Sequence, residues 1–273
     1  MRFSSSLGVA SVVLLASLLA GGEALGIGKW AKPFSEAEVL VEINATDGDA
    51  GFQGKIDGDP WTSASLRGPS WTNLFSFRLI GDAALQGFTE FVWESAEPTF
   101  DEFGLDEFLE RFPEGPYRFK AREVEGGLLR STAQLTHDLP AGPNITSPEE
   151  GEGVPSGEDV VVTWDAVTTE FGLGDPYGEA TPDLESDIVQ YIVVAEYEDE
   201  DEDIKEVMTI EIAVPEGDDS ETWSATIPGS FLKFSDSEGY KMEVGAVEES
   251  GNRTFIEVPF CTDMDCPDEE EDE

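Results

Sequence analysis

The sequence predicts an all-β protein of two domains. An N-terminal, mostly-β, sandwich-like domain carries one short helix, and a C-terminal β-sandwich follows it. Three observations lead there. Apolar residues recur with period two in short runs, as where Tyr240, Met242, Val244 and Ala246 alternate with Lys241, Glu243, Gly245 and Val247; this puts each set on one face of a strand. Turn residues separate the runs, as Glu249-Ser250-Gly251-Asn252 does before the alternation Thr254, Ile256, Val258, Phe260. Residues 140–157 hold Pro140, Pro143, Pro148 and Pro155 with Glu-Glu-Gly-Glu-Gly and few apolar side chains, the composition of a linker between domains.

Taken in order, residues 1–24 read as an export signal. Arg2 supplies the positive end, residues 8–20 a short apolar core, and Gly22-Glu23-Ala24 small residues for cleavage after Ala24. The apolar run is short for a membrane span, with an uncleaved anchor as the alternative. No cysteine follows it to carry a lipid, and no later stretch is long and apolar enough to cross a bilayer. The expectation is a secreted, extracellular chain, periplasmic as the variant, with no integral membrane segment once the signal is removed. Residues 25–35 read as a linker and 36–139 as the first domain. Strands are expected at residues 39–43, 52–56, 63–66, 74–80, 88–94, 117–122 and 128–136, with Asp57-Gly58-Asp59-Pro60 as a turn. Leu105, Phe108, Leu109 and Phe112 are spaced i, i+3, i+4, i+7, a short amphipathic helix stopped by Pro113.

The second domain is expected over residues 158–260. Val160, Val162 and Trp164 share a strand face, residues 188–197 form a long strand, and Met208, Ile210, Ile212 and Val214 alternate in another. Trp164 in the second strand, Tyr191 in the third, and Tyr240 after Leu232 resemble a fibronectin type III domain over about residues 144–260. The resemblance implies a seven-strand sandwich in which Tyr240 caps a nearby backbone group at a corner. The acidic connection 168–187 and the acidic run 196–203 depart from the pattern. There is no Arg-Gly-Asp, so integrin binding does not carry over. Residues 261–273 form an acidic tail. Cys261 and Cys266, the only cysteines, either pair in an oxidising compartment or remain free thiols; one pair lacks the ligands zinc needs.

Charge is the extreme feature. Sixty acidic residues against 15 basic give a net −45, while 39% of residues are hydrophobic, so a core forms under an acid coat. Such a surface repels nucleic acid and anionic lipid and favours cations and basic partners. Arg118, Lys120 and Arg122 share one strand face; pairing with neighbouring carboxylates such as Glu90 and Glu94 is expected, an isolated anion patch being the alternative.

No catalytic constellation emerges. His137 is the only histidine and no Gly-x-Ser-x-Gly elbow occurs. The first reading is a non-enzymatic protein without a cofactor, bound to protein or polysaccharide at an extracellular surface or matrix. A calcium- or carbohydrate-binding module is the alternative, and a carboxylate-dependent hydrolase the third. For calcium, Asn44, Asp47 and Asp49 offer oxygens in one turn. For sugar, Trp61 and Trp71 follow Pro60 and Pro69-Ser70 at expected turns and form a candidate exposed platform. Asn44, Asn144 and Asn252 begin Asn-x-Thr sequons.

Overall fold

The computed structural model describes residues 31–172, 181–199, 204–233 and 240–263. The expected signal segment, residues 25–30, residues 264–273 and with them Cys266 lie outside the described residues. The chain is all-β with two short helices.

The N-terminal unit runs β1 (Glu36–Asn44), β2 (Asp49–Arg67), β3 (Asn73–Arg78), α1 (Gly81–Gln86), β4 (Phe88–Glu94), α2 (Leu105–Arg111), β5 (Gly115–Glu123) and β6 (Leu128–Leu135). Its organiser is β2, 19 residues long. Along one edge of β2, residues 49–57 pair with β1 and residues 61–67 with β5; along the other, β4 and then β3 pair with it. The Asp57-Gly58-Asp59-Pro60 segment is therefore no turn. It stays extended, with register shifts between Asp57 and Trp61. Tertiary partners override the local turn chemistry: Lys32 donates to Asp59 (2.6 Å), Ser35 to Asp57 (3.3 Å), and the Val124 amide to the Pro60 carbonyl (2.9 Å). Gly58 fits because a side chain there would press on Leu129 and Phe34. Phe34 is itself buried, and the Lys32 backbone bonds to Leu128 and Arg130, so residues 32–34 of the expected linker belong to this unit. In α2, Leu105, Phe108 and Leu109 are buried, as the helical spacing predicts.

The second unit comprises β7 (Ile145–Ser147), β8 (Gly153–Val154), β9 (Val160–Asp165), β10 (Thr169–Glu170), β11 (Thr181–Glu185), β12 (Ile188–Asp199), β13 (Ile204–Ala213), β14 (Thr222–Ile227), β15 (Tyr240–Glu248) and β16 (Arg253–Thr262). A three-stranded sheet, β14-β9-β7, packs on the run β13-β12-β15-β16. The core between them holds Val162, Trp164 and Ile227 from one sheet and Tyr191, Val193, Met242, Val244 and Phe260 from the other. This is a sandwich. Residues 140–157, expected as linker, carry β7 and β8 and bury Ala141 and Val154.

The two units are joined in one continuous sheet, ordered β13-β12-β15-β16-β1-β2-β5-β6. The junction is a parallel pairing of Glu42, Ile43 and Asn44 with Arg253, Thr254 and Phe255. Asn252, fully buried, ties it together. Its Oδ1 accepts from the Val41 amide (2.8 Å), and its Nδ2 donates to the Thr136 carbonyl (3.1 Å), the Thr136 hydroxyl (3.1 Å) and the Asp138 carbonyl (3.0 Å). Phe171, sequentially in the second unit, is buried in the core of the first.

Candidate anion-binding face

Side chains of directly opposed residues in a sheet share a face. Ala64, Leu66, Phe119, Ala121 and Leu129 point inward and are buried. Their neighbours therefore point out, and the pairings align them in rows. One row is Arg78–Ser63–Arg122–Leu128, the next Ser76–Ser65–Lys120–Arg130, and the third holds Arg67–Arg118–Thr132. Six basic residues thus lie on the outer face of β3-β2-β5-β6. Rows are about 7 Å apart along the strands and columns about 5 Å across them.

Among the described residues, none of these six forms an ion pair. The cations that do are Lys32, Lys55, Lys205, Lys233, Lys241 and Arg253. The expected pairing of Arg118, Lys120 and Arg122 with Glu90 and Glu94 is not found. The reason is topological: β4 pairs with the first half of β2, where Glu90 lies opposite Asp57 and Glu94 opposite Gln53, while β5 lies against the second half on the other edge. Glu90 is paired instead with Lys55 (3.3 Å). Arg118 donates to the Pro116 carbonyl (3.1 Å) and lies over the Trp71 ring, 4.7 Å from its centroid. Trp71 is 64% exposed and sits at φ 62°, where non-glycine residues are uncommon. It closes a tight turn by donating its amide to the Gly68 carbonyl (3.0 Å).

The tryptophan platform expected from sequence does not exist. Trp61 is 0% exposed, T-shaped against Phe77 and Phe88, its Nε1 donating to the Thr89 carbonyl. With no turn at residues 57–60, nothing lifts it from the core. Trp71 alone remains at the surface, beside the cations.

The expected calcium turn is also self-contained. The Asn44 Oδ1 accepts from the Thr46 and Asp47 amides, and its Nδ2 donates to the Asp47 carboxylate (2.7 Å). The structure instead gathers Glu42, Glu94 and Glu97, whose carboxylates lie within 4.8 Å of one another. Glu42 is held by the Arg253 guanidinium. Partial desolvation and the neighbouring charges of Glu94, Asp49 and Glu42 push the Glu97 carboxyl up to about 7.

The remaining residues singled out by sequence make contacts within the fold. Trp164 and Tyr191 pack edge to face, 5.4 Å apart, and the Tyr191 hydroxyl accepts from the Val167 amide (2.9 Å). Tyr240 is buried, and its hydroxyl donates to the Phe231 carbonyl (3.1 Å), just before Leu232. His137 Nε2 contacts the Phe112 carbonyl (2.9 Å), and the His137 amide donates to the Glu114 carboxylate (3.0 Å). Cys261 is disulfide-bonded; Cys266 lies outside the described residues. No helix among them is long and apolar enough to cross a membrane.

No family model and no curated protein matches the chain. Solved structures align over most of it at low similarity. Fibronectin(III)-like modules of Clostridium thermocellum CbhA align at 9% identity and a TM-score of 0.27, covering 84% of this chain and 93% of that one. A 1.5-MDa bacterial ice-binding adhesin, described in terms of host cell surface retention, aligns at 14% and 0.24, covering 84% of this chain and 65% of its own. The BSP domain of a biofilm associated protein aligns at 12% and 0.24, covering 85% and 30%. At such TM-scores these likenesses carry no argument; the fold rests on the strand pairings and the two cores above.

Proposed function

We propose that the protein is a non-enzymatic binding protein of the extracellular surface or matrix, docking an anionic partner on the cationic face of its N-terminal unit. In this reading the C-terminal unit is fibronectin type III-like, as Trp164, Tyr191, Tyr240 and the three-on-four strand arrangement support. It serves as a rigid extension, since the junction leaves no free linker between the units. The observation that carries the proposal is the segregation of charge. Six of 15 basic residues converge in a chain of net charge −45, without an ion pair among the described residues. Random placement in such a chain would surround each cation with carboxylates. Leaving them unpaired on one face keeps their field available to a ligand. The face spans more than a Debye length of about 10 Å at 0.1 M salt, so a ligand on it is largely screened from the acids elsewhere.

The test is chromatographic. At pH 7.5 and about 0.1 M salt, the full chain is expected to be retained on a sulfonate resin despite its net charge, and to elute as salt rises. The Arg78→Ser/Lys120→Ser/Arg122→Ser variant is expected to flow through. Flow-through of the unaltered protein would overturn the proposal.

A further inference from the structure

We infer that the ligand of this face is an anionic polysaccharide, sulfated or uronate-bearing, laid as a single chain across β3, β2, β5 and β6 with one sugar ring on Trp71. The inference rests on the proposed function and names its ligand class.

Three features select a charged glycan. Exposed hydroxyls flank the cations, Ser76 beside Arg78 on β3 and Thr132 on β6 beside Arg130 and opposite Arg118; a glycan presents hydroxyls and charges in alternation and uses both. The rows cover a patch about 15 Å on a side, an extent that suits a single thin chain. Trp71 stands at one margin, mostly exposed, with the Arg118 guanidinium fixing its ring. An indole face pre-set in this way stacks on the apolar face of a sugar with little loss of side-chain freedom.

Other polyanions fit less well. Single-stranded nucleic acid is held on a succession of stacked aromatic side chains, and the described outer rows meet one. An anionic bilayer is an extended plane. It would also face the first half of β2, where Glu38 lies opposite Lys55, Glu94 opposite Gln53, and Glu36 and Glu90 opposite Asp57. A second copy of the chain would bring another net −45 against the first. A single glycan strand meets the cations alone.

The experiment is calorimetric titration of the full chain with a heparin oligosaccharide (sulfated), oligogalacturonate (carboxylated) and neutral dextran, beside inorganic polyphosphate, a mixed-sequence oligodeoxynucleotide and phosphatidylserine vesicles. Binding to at least one charged glycan and none to dextran is expected, weakening about tenfold or more between 0.1 and 0.3 M salt. Oligogalacturonate carries carboxylates alone and heparin both carboxylates and sulfates, so binding of heparin alone means that sulfate is needed, and binding of both means that carboxylates suffice. Arg78→Ser/Lys120→Ser/Arg122→Ser is expected to weaken it about 100-fold, whereas Lys205→Ser, on the other unit, leaves it unchanged. Trp71→Ala is expected to weaken glycan binding about tenfold and polyphosphate binding hardly at all, because polyphosphate has no ring to stack. All substituted side chains are surface groups, and circular dichroism verifies that each variant folds.

The inference is overturned if neither charged glycan binds, if the triple variant binds glycan unchanged, or if Trp71→Ala affects polyphosphate as much as glycan. Tighter binding of the oligonucleotide or the vesicles than of either glycan also overturns it. If such binding still depends on the three cations, the anionic-partner reading stands while the glycan assignment falls; no face-dependent binding to any probe removes both.

Discussion

Replacing Asn252 with alanine is expected to lower the stability of the whole chain by about 3–4 kcal/mol. The side chain is 0% exposed and makes four hydrogen bonds to three backbone groups and one hydroxyl, drawn from β1 and from the segment after β6. Truncation leaves the Val41 amide and the Thr136 and Asp138 carbonyls in a space no protein group refills. Each such loss costs about 1–3 kcal/mol, partly relieved by an entering water. Equilibrium urea unfolding measures the loss. A change below about 1 kcal/mol would mean that the junction does not depend on this residue. The same geometry answers the glycosylation question at this position. Asn252 begins a sequon, yet its Nδ2 is committed to three acceptors inside the protein, so the folded chain has no room for a glycan there.

The second large effect is a dependence of stability on pH. Glu243 lies directly opposite Glu257 across β15 and β16. Burial first, and then the charge of Glu257, push its carboxyl up to about 7; Glu97 is an exposed residue, and partial desolvation of its carboxyl with the charges of Glu94, Asp49 and Glu42 pushes that group up to about 7. Both values exceed the 4.5 of a free glutamate, so the folded state binds protons more tightly than the unfolded chain. The stability this confers is complete below pH 4.5 and is lost as pH rises through about 7. The melting temperature is therefore expected to rise when pH is lowered from 8 to 5. With solvent screening discounted, the two groups contribute about 2 kcal/mol, or about 4–8 °C. Glu243→Gln is expected to raise stability at pH 8 and to reduce the slope. A melting temperature that is flat or falls between pH 8 and 5 would contradict this assignment.

Much of the second unit is legible in sequence because strands such as β9 and the first half of β15 bury one face. The alternation of Tyr240, Met242, Val244 and Ala246 names one buried face of β15; Gly245 and Val247 on the other face are buried as well, at the end of the strand nearer the junction, which alternation alone does not show. The N-terminal unit was legible only in part. Turn chemistry at residues 57–60 hid the continuity of β2, since Lys32 and Ser35, the residues that hold it extended, are more than 20 positions away. That error placed Trp61 on the surface. The cationic face was half visible: Arg118, Lys120 and Arg122 share a face by simple alternation. Arg67, Arg78 and Arg130 join them only through strand register, which one sequence does not reveal. The acidic cluster of Glu42, Glu94 and Glu97 was hidden for the same reason. Its members come from β1, β4 and the segment after β4.

Lysine acylation of the unaltered full chain, read by mass spectrometry with and without a saturating heparin oligosaccharide, shows whether the outer face of β3-β2-β5-β6 is the binding surface. Lys120 is the one lysine on that face; Lys205 and Lys233 lie on or near β13 and are ion-paired there. Glycan is expected to slow acylation of Lys120 at least several-fold and to leave Lys205 and Lys233 unchanged. Unaltered reactivity of Lys120 under saturation, or equal protection of all three, would contradict it.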